Sequence, residues 1–389
     1  MNSITIIGGG IGGIVTAICF EKLNIPYVLY ERAAVLKEVG AGIWLSPNAL
    51  QVLEWIDPKL LQAVQSSGNA FDSIRVTNHN LRPISDSNQQ FALQKYGYTT
   101  MAIHRGKLQK ILYDYATKEN IVLNKTLKKY ESYRDYITIT FTDKSTVKTR
   151  SLIGADGINS TLRKQLFPGS TLRYTGQTCW RGIANYDLDT SLTNVGCTLW
   201  GKKLQFGMSK LENGKVYWFA VRRSKMQQKD NLHTLKNTLT TLFSEFHPIV
   251  NTLIDNTPLE KIMRNDLFDL NLLERWHYQN ICLIGDAAHS MTPDLGQGGA
   301  QAIEDAFYLS NFIHGIPKTE DAFDTFYTFR KPKVERLVKQ SWNTSRMAIT
   351  NRPLEILRNF ILKYTPQKMM QQQMLTVYNI DTTIAHKNV

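Results

Sequence analysis

The chain has 389 residues, 42% of them hydrophobic and 20% charged, which is the profile of an ordinary globular protein long enough for two lobes. No stretch approaches the roughly 18 consecutive apolar residues of a membrane span, and the apolar run Ile4 to Ile7 is too short for a secretory signal. The net charge is +13, but the densest basic groups, Arg222-Arg223 with Lys225 and Arg330-Lys331 with Lys333, are short and far apart. That dispersal argues against a nucleic-acid binder and for solubility or attraction of small anionic partners.

Residues 3–31 open as strand, glycine turn, helix, strand. Ser3 to Ile7 reads as a buried strand, Gly8 to Gly13 as the turn, Ile14 to Leu23 as the helix, and Tyr27 to Tyr30 as the second strand. This βαβ opening implies a parallel sheet covered by helices. Residues 104–117 are expected to form an amphipathic helix with Leu108, Ile111, Leu112 and Tyr115 on one face. Tyr136 to Phe141 alternates as a half-buried strand. From 171 to 270 the chain turns rich in Thr, Tyr, Trp and Phe, with a hairpin signal at Asn213-Gly214, and reads as an inserted antiparallel sheet. Ile281 to Ile284 is another buried strand, and helices follow from residue 300. Cys19, Cys179, Cys197 and Cys282 are scattered, with no Cys-x-x-Cys pair, so neither a disulfide framework nor a metal site is expected. Reduced, buried thiols fit a cytoplasmic protein.

Gly8, Gly10 and Gly13 satisfy G-x-G-x-x-G within Gly8-Gly9-Gly10-Ile11-Gly12-Gly13. The first glycine makes the tight turn, the second lets backbone approach a pyrophosphate, and the third lets helix and sheet pack closely. The helix start offers N–H groups and a positive dipole end to phosphates. Glu31 ends the second strand 18 residues after Gly13, where an acid can accept from a ribose hydroxyl. The context makes this a dinucleotide site without deciding between FAD and NAD.

Two further motifs bear on that choice. Gly154-Ala155-Asp156-Gly157-Ile158-Asn159-Ser160-Thr161-Leu162-Arg163 has the form G-A-D-G-x-x-S-x-x-R. Residues 285–298 have the form G-D-A-A-H-x-x-x-P-x-x-G-Q-G. In the latter, Asp286 follows a buried strand and can accept from a ribityl hydroxyl. Pro293, Gly296, Gln297, Gly298, Gly299 and Ala300 lead into a helix whose N-terminus suits a negatively charged ring edge. Asp156 has a purely local reading as a brace for its turn, and His289 reads as a packing residue or a support for others, not a catalytic base.

With these motifs in this order, the sequence resembles the group A flavoprotein monooxygenases, the para-hydroxybenzoate hydroxylase fold, over essentially its whole length. Within that group it looks most like the FAD-dependent urate hydroxylases and the zeaxanthin-epoxidase-like bacterial hydroxylases. The resemblance implies an α/β fold: a Rossmann-like FAD-binding domain over 1–72, 101–170 and 275–340, an antiparallel substrate domain over 73–100 and 171–274, and C-terminal helices over 341–389. It implies non-covalent FAD, NADPH or NADH as transient electron donor and O2 as co-substrate. A small aromatic or heteroaromatic substrate would be hydroxylated through a flavin C4a-hydroperoxide by a monomer or homodimer.

The resemblance also assigns Arg105 to the flavin nucleotide, Leu127 to the adenine and Gly42 to a flavin-adjacent segment, and it counts Gly12 and Arg32 among the cofactor-binding residues. It singles out Lys203, Tyr217 and Asp294 as substrate-contacting candidates, Lys203 standing where urate hydroxylases carry arginine. Lys203 and Tyr217 are expected on strands joined by the Asn213-Gly214 hairpin. A tetracycline-type antibiotic hydroxylase stays open as an alternative, as does a reductase or halogenase-like enzyme. The halogenase signature Trp-x-Trp-x-Ile-Pro is absent, with Trp180-Arg181-Gly182-Ile183 lacking it too.

Overall fold

The computed structural model describes residues 3–36, 40–212 and 214–385. Among them, the strand Ile4–Ile7 lies in the middle of a six-stranded sheet, between Tyr27–Tyr30 on one side and Ser151–Gly154 on the other. Both pairings are parallel, as is that of Ser151–Gly154 with Ile281–Leu283. A central parallel strand is covered on both faces, which is why Ile4 to Ile7 is buried throughout and carries no polar alternation. The crossover helix Ile11–Lys22 begins inside the glycine turn, so Gly12 and Gly13 are already helical, and it packs against the helix Gly298–Gly315.

The middle block forms a seven-stranded sheet in the order Met263–Leu270, Leu172–Asn185, Lys215–Arg223, Leu204–Lys210, Val195–Gly201, Ser73–Asn78, Pro83–Asn88. Its pairings are antiparallel except that of Val195–Gly201 with Ser73–Asn78, which is parallel. Side chains alternate across a strand, and here the two faces have different fates. Trp180, Phe206 and Trp218 point to one side, into a core closed by the helices Leu235–Leu242 and Ile249–Asp255. Those two helices were not anticipated from sequence. The Trp218 indole N–H donates to the Thr257 hydroxyl at 2.8 Å, so this core leaves that donor satisfied. The opposite face carries Arg181, Tyr217 and Phe219, and Tyr217 and Phe219 pack there with Trp44, Phe71 and Ala102.

Two expectations need correction. Tyr115 is not on the buried face of its helix, Arg105–Tyr115; it is 40% exposed, and its hydroxyl donates to Asp57 at 2.8 Å. Lys203 is not on a strand. It sits exposed with φ +60° in the turn between Val195–Gly201 and Leu204–Lys210, and its N–H donates to the Thr350 carbonyl at 3.3 Å. The expected hairpin at Gly214 does join the next strand, Leu204–Lys210, to Lys215–Arg223, which carries Tyr217; Gly214 supplies the positive φ, and Asn213 lies outside the described residues. Cys19, Cys179, Cys197 and Cys282 are all buried in the packing.

Candidate functional site

The parallel sheet brings its strand ends to one edge, where the chain turns at Gly8, Glu31, Asp156 and Asp286. Ligands of open α/β sheets bind outside such carboxyl ends. The glycines there answer to sterics. At Gly13 a Cβ would overlap the Gly8 carbonyl oxygen, and at Gly8, with φ +109°, it would overlap the Ala155 carbonyl. A Cβ at Gly10, by contrast, would meet nothing within 4 Å. No side chain caps the helix that starts at Ile11, so its first-turn N–H groups are left for the crevice. Steric closure behind Gly8 and Gly13 with open space at Gly10 is the cradle a pyrophosphate requires.

Around this cradle, Glu31 accepts from the Gly9 N–H at 2.5 Å and from the Ala33 N–H at 2.8 Å, which fixes its carboxylate at the strand end. Gln109 donates to the Gly9 carbonyl at 2.7 Å. Arg105 and Arg32 are exposed, Arg105 lying against Gly40. Leu127 is buried in the core, opposite Phe141. One oxygen of Asp156 accepts from the Thr161 and Leu162 N–H groups at 2.8 and 3.1 Å, bracing the helix Thr161–Leu166. Its other oxygen, Oδ1, is enclosed with no partner among the described residues. Arg163 is buried and donates to the Ala287 and Ile158 carbonyls, tying the second motif to the third.

At the other end of the crevice, Gly285 turns with φ +55° and places Asp286 on the wall. Its carboxyl is reached by solvent from the crevice but enclosed by protein on most sides. That burial pushes its pKa up, against the opposing pull of His289, Arg105 and Arg163. Pro293–Leu295 is a short 3-10 turn that ends at Gly296 in the left-handed region, φ +62°, beside Trp44. Gly298 starts the following helix with an ordinary negative φ, so the strained position is Gly296. Gly299 lies so close to Ile43 that a Cβ would stand 2.7 Å from its Cδ1, and Ala300 is fully buried.

The Gln297 side chain points away from the crevice. It donates to the Ser46 hydroxyl at 2.8 Å and joins a buried polar network. Asn48, Gln301, Arg330 and Lys333 converge there on Glu304, while Arg330 and His289 hold Asp305. Burial pushes Asp305 up, but His289 and Arg330 beside it prevail and hold its pKa near 2. His289, packed on Trp276, is therefore a supporting residue.

The substrate candidates do not all meet. Tyr217 is buried, and its ring covers Gly42 so closely that a Cβ there would overlap it. Burial pushes the Tyr217 phenol up to about 12, with Arg181 pulling the other way. Asp294 lies across from Tyr217's sheet, near Cys179, with the Thr292 and Ser345 hydroxyls beside it. Its Oδ2 is enclosed without a partner among the described residues. Lys203 is elsewhere: Leu204 pairs with Arg222 whereas Ser209 pairs with Tyr217, a separation along the strand of about 17 Å.

The cation on the site side is Arg181, beside Cys179 and in electrostatic reach of Tyr217. Sequence reasoning missed it. Its register with Phe219, two residues along the strand from Tyr217, was the available signal. Trp44, Phe71 and Phe219 supply apolar walls, and Trp44 is oriented by donating to the Ser209 hydroxyl at 3.1 Å.

A glycine turn at the carboxyl end of a parallel sheet, rimmed by Glu31 and Asp286 and set beside an aromatic-walled sheet, agrees with the class that the relatives define, the FAD-dependent monooxygenases. The FAD binding domain family matches residues 1–341, and the chain belongs to it. It is 32% identical to the aurachin C monooxygenase/isomerase of Stigmatella aurantiaca over 345 residues, covering 89% of each chain. It is 28% identical to the 2-heptyl-3-hydroxy-4(1H)-quinolone synthase of Pseudomonas aeruginosa, over 96% of this chain and 98% of that one. The fold is similar to that of Klebsiella pneumoniae HpxO complexed with FAD and uric acid, with a TM-score of 0.89 at 23% identity, covering 97% of this chain and 96% of that one.

Proposed function

We propose that the protein uses FAD, electrons from NADH or NADPH, and O2 to hydroxylate a small heteroaromatic ring bearing an ionisable N–H or O–H, a 4(1H)-quinolone in chemical class. The observation that carries this reading is the enclosed, unpartnered Oδ2 of Asp294, together with Arg181 on the sheet face that carries Tyr217 and Phe219. The quinolone class is supported by the relative named for 3-hydroxy-4(1H)-quinolone formation, which matches along nearly the whole chain.

In this reading the parallel-sheet lobe holds the dinucleotide and the seven-stranded sheet holds the substrate. The glycine turn and the start of the Ile11–Lys22 helix take the pyrophosphate, Glu31 a ribose hydroxyl, and Asp286 a ribityl hydroxyl. Residues 296–300 present backbone N–H groups to the ring edge. Bound FAD supplies reductive activation of O2. The chain's own part is to orient the substrate. Asp294 Oδ2 accepts the ring N–H or O–H proton, which raises electron density on the ring carbons. Arg181 holds the carbonyl oxygen where that density would otherwise collect, and Trp44, Phe71 and Phe219 exclude water.

A panel of quinolones, phenols, purines and tetracyclines, assayed for stimulated NAD(P)H oxidation with product detected by mass spectrometry, tests the reading. A 4-quinolone should gain 16 mass units, and Arg181→Met should lower its kcat/KM by about tenfold or more, with excess hydrogen peroxide. Stimulation by purines or phenols alone, with Arg181→Met unchanged, would overturn it.

A further inference from the structure

The helix Arg352–Tyr364 is inside out. Its apolar residues Leu354, Ile356, Leu357, Phe360, Ile361 and Tyr364 are each at least 55% exposed. At 100° per residue they form one continuous arc of roughly 160°. The inward side is narrow and mixed: Leu362 packs on the cluster around Trp200, beside a buried cation. Arg358 is buried, donates to the Met347 and Ala348 carbonyls and lies over the Trp200 ring at 4.9 Å, with Glu355 near it. A surface helix of a globular protein normally turns its apolar arc to the core, and an exposed apolar patch of this kind marks an interaction site.

The charge around the arc says what covers it. From 341 to 380 the sequence carries five bases, Arg346, Arg352, Arg358, Lys363 and Lys368, against one acid, Glu355. Arg346, Lys363 and Lys368 are exposed. Lys202 and Lys203 add to the rim, because Lys203 bonds Thr350 at the root of this helix. A second copy of the chain would bring the same positive charge to the contact and oppose it. A negatively charged lipid surface complements both features: the arc enters the headgroup–acyl boundary and the basic rim meets anionic headgroups.

We propose that the helix Arg352–Tyr364 docks the protein reversibly on anionic phospholipid membranes, lying in the plane of the interface. Among the described residues no helix is long and apolar enough to cross a membrane, so the contact is peripheral. Trp200 belongs to the seven-stranded sheet, so the docked helix lies directly against the lobe read above as substrate-binding. The docking itself does not depend on that reading.

The test is sedimentation of the full-length, FAD-loaded protein with vesicles of phosphatidylcholine alone or mixed with phosphatidylglycerol. Binding should be at least tenfold stronger to the mixed vesicles and should fall in about 0.5 M salt. Ile356→Ser with Phe360→Ser and Ile361→Ser should lower it tenfold or more, with circular dichroism, bound FAD and soluble turnover unchanged. Should the triple variant fold poorly, Phe360→Ser alone carries the same comparison. Lys363→Glu with Lys368→Glu should erase the preference for anionic lipid. Equal pelleting of wild type and apolar variants would overturn the proposal. So would absence of vesicle binding together with a dimer, seen by sedimentation equilibrium, that the serine variants dissociate.

Discussion

The nucleotide crevice and the substrate-facing sheet are written into the chain in different ways. In the proposed cofactor crevice the recognition falls to the backbone, and the requirement falls on runs of consecutive residues. Gly8, Gly10 and Gly13 stand within six positions because each serves one turn. On the sheet the proposed recognition is by side chains, and its residues come from distant positions, 181 and 217 by strand register and 294 from the Pro293–Leu295 turn. A backbone site tolerates no substitution that fills its space. A side-chain site can be retuned one residue at a time while the fold stands. Substrate range on such a scaffold can therefore vary while the cofactor crevice does not.

The sharpest way to break this contrast is within the crevice. Gly13→Val should cost roughly 4 kcal/mol or more, because its side chain must displace the Gly8 carbonyl. The protein should be recovered in low yield and without bound flavin. Gly10→Val should behave differently, keeping near-native stability while losing FAD, since its side chain meets only the space argued to hold pyrophosphate. Melting temperature and the flavin-to-protein absorbance ratio separate the two. If Gly10→Val retains wild-type flavin content, the cradle is misplaced.

A second test concerns the polar network that links the crevice helix to the C-terminal half. Arg330 is buried and bonds both Glu304 and Asp305, which are themselves fully buried. Arg330→Met strands two carboxylates, although Lys333 and His289 remain beside them. The expected loss is about 3–5 kcal/mol, the scale of breaking a buried ion pair from one side, measurable by denaturant unfolding of the flavin-loaded enzyme. A loss under about 1 kcal/mol would mean that Lys333 and His289 alone suffice.

The contrast also explains what could be read in advance. The βαβ opening, the three motifs and the outline of the inserted sheet were legible, because period and punctuation report backbone structure locally. The side that Tyr115 faces was not, because a phenol that reaches Asp57 gains a hydrogen bond at the surface. The helices Leu235–Leu242 and Ile249–Asp255 were overlooked because their apolar faces are short and lie within a strand-like composition. Lys203 was misplaced because a positive φ at a lysine has no signature in sequence. Arg181 was overlooked because register alone decides that it shares a face with Tyr217. The role of Gln297, drawn into the network at Ser46 and away from the crevice, depends on contacts about 250 residues apart in sequence.

The smallest expected effect is the most specific to the substrate side, and it lies at Asp294. Burial raises its pKa from the ordinary 3.8 to about 6, although the Thr292 and Ser345 hydroxyls pull it back toward the acid side. A carboxyl raised on folding gives its full relative stability below its unfolded value and loses it as pH rises through the folded value. Wild type should therefore lose stability relative to Asp294→Asn between about pH 4 and pH 6 and show a constant difference above that. The same ionisation sets the chemistry proposed for the site. The carboxylate form accepts the substrate proton, so kcat/KM should rise through an apparent pKa close to 6 in wild type. In Asp294→Asn that limb should vanish, while flavin content stays near wild type and so does the melting temperature at about pH 4, below that window. Lys203→Met, about 17 Å of strand away from Tyr217, should leave the profile where it is. A limb near pH 6 that survives in Asp294→Asn would assign the ionisation to the substrate or to Asp286, and would leave Asp294 a turn residue with no part in proton transfer.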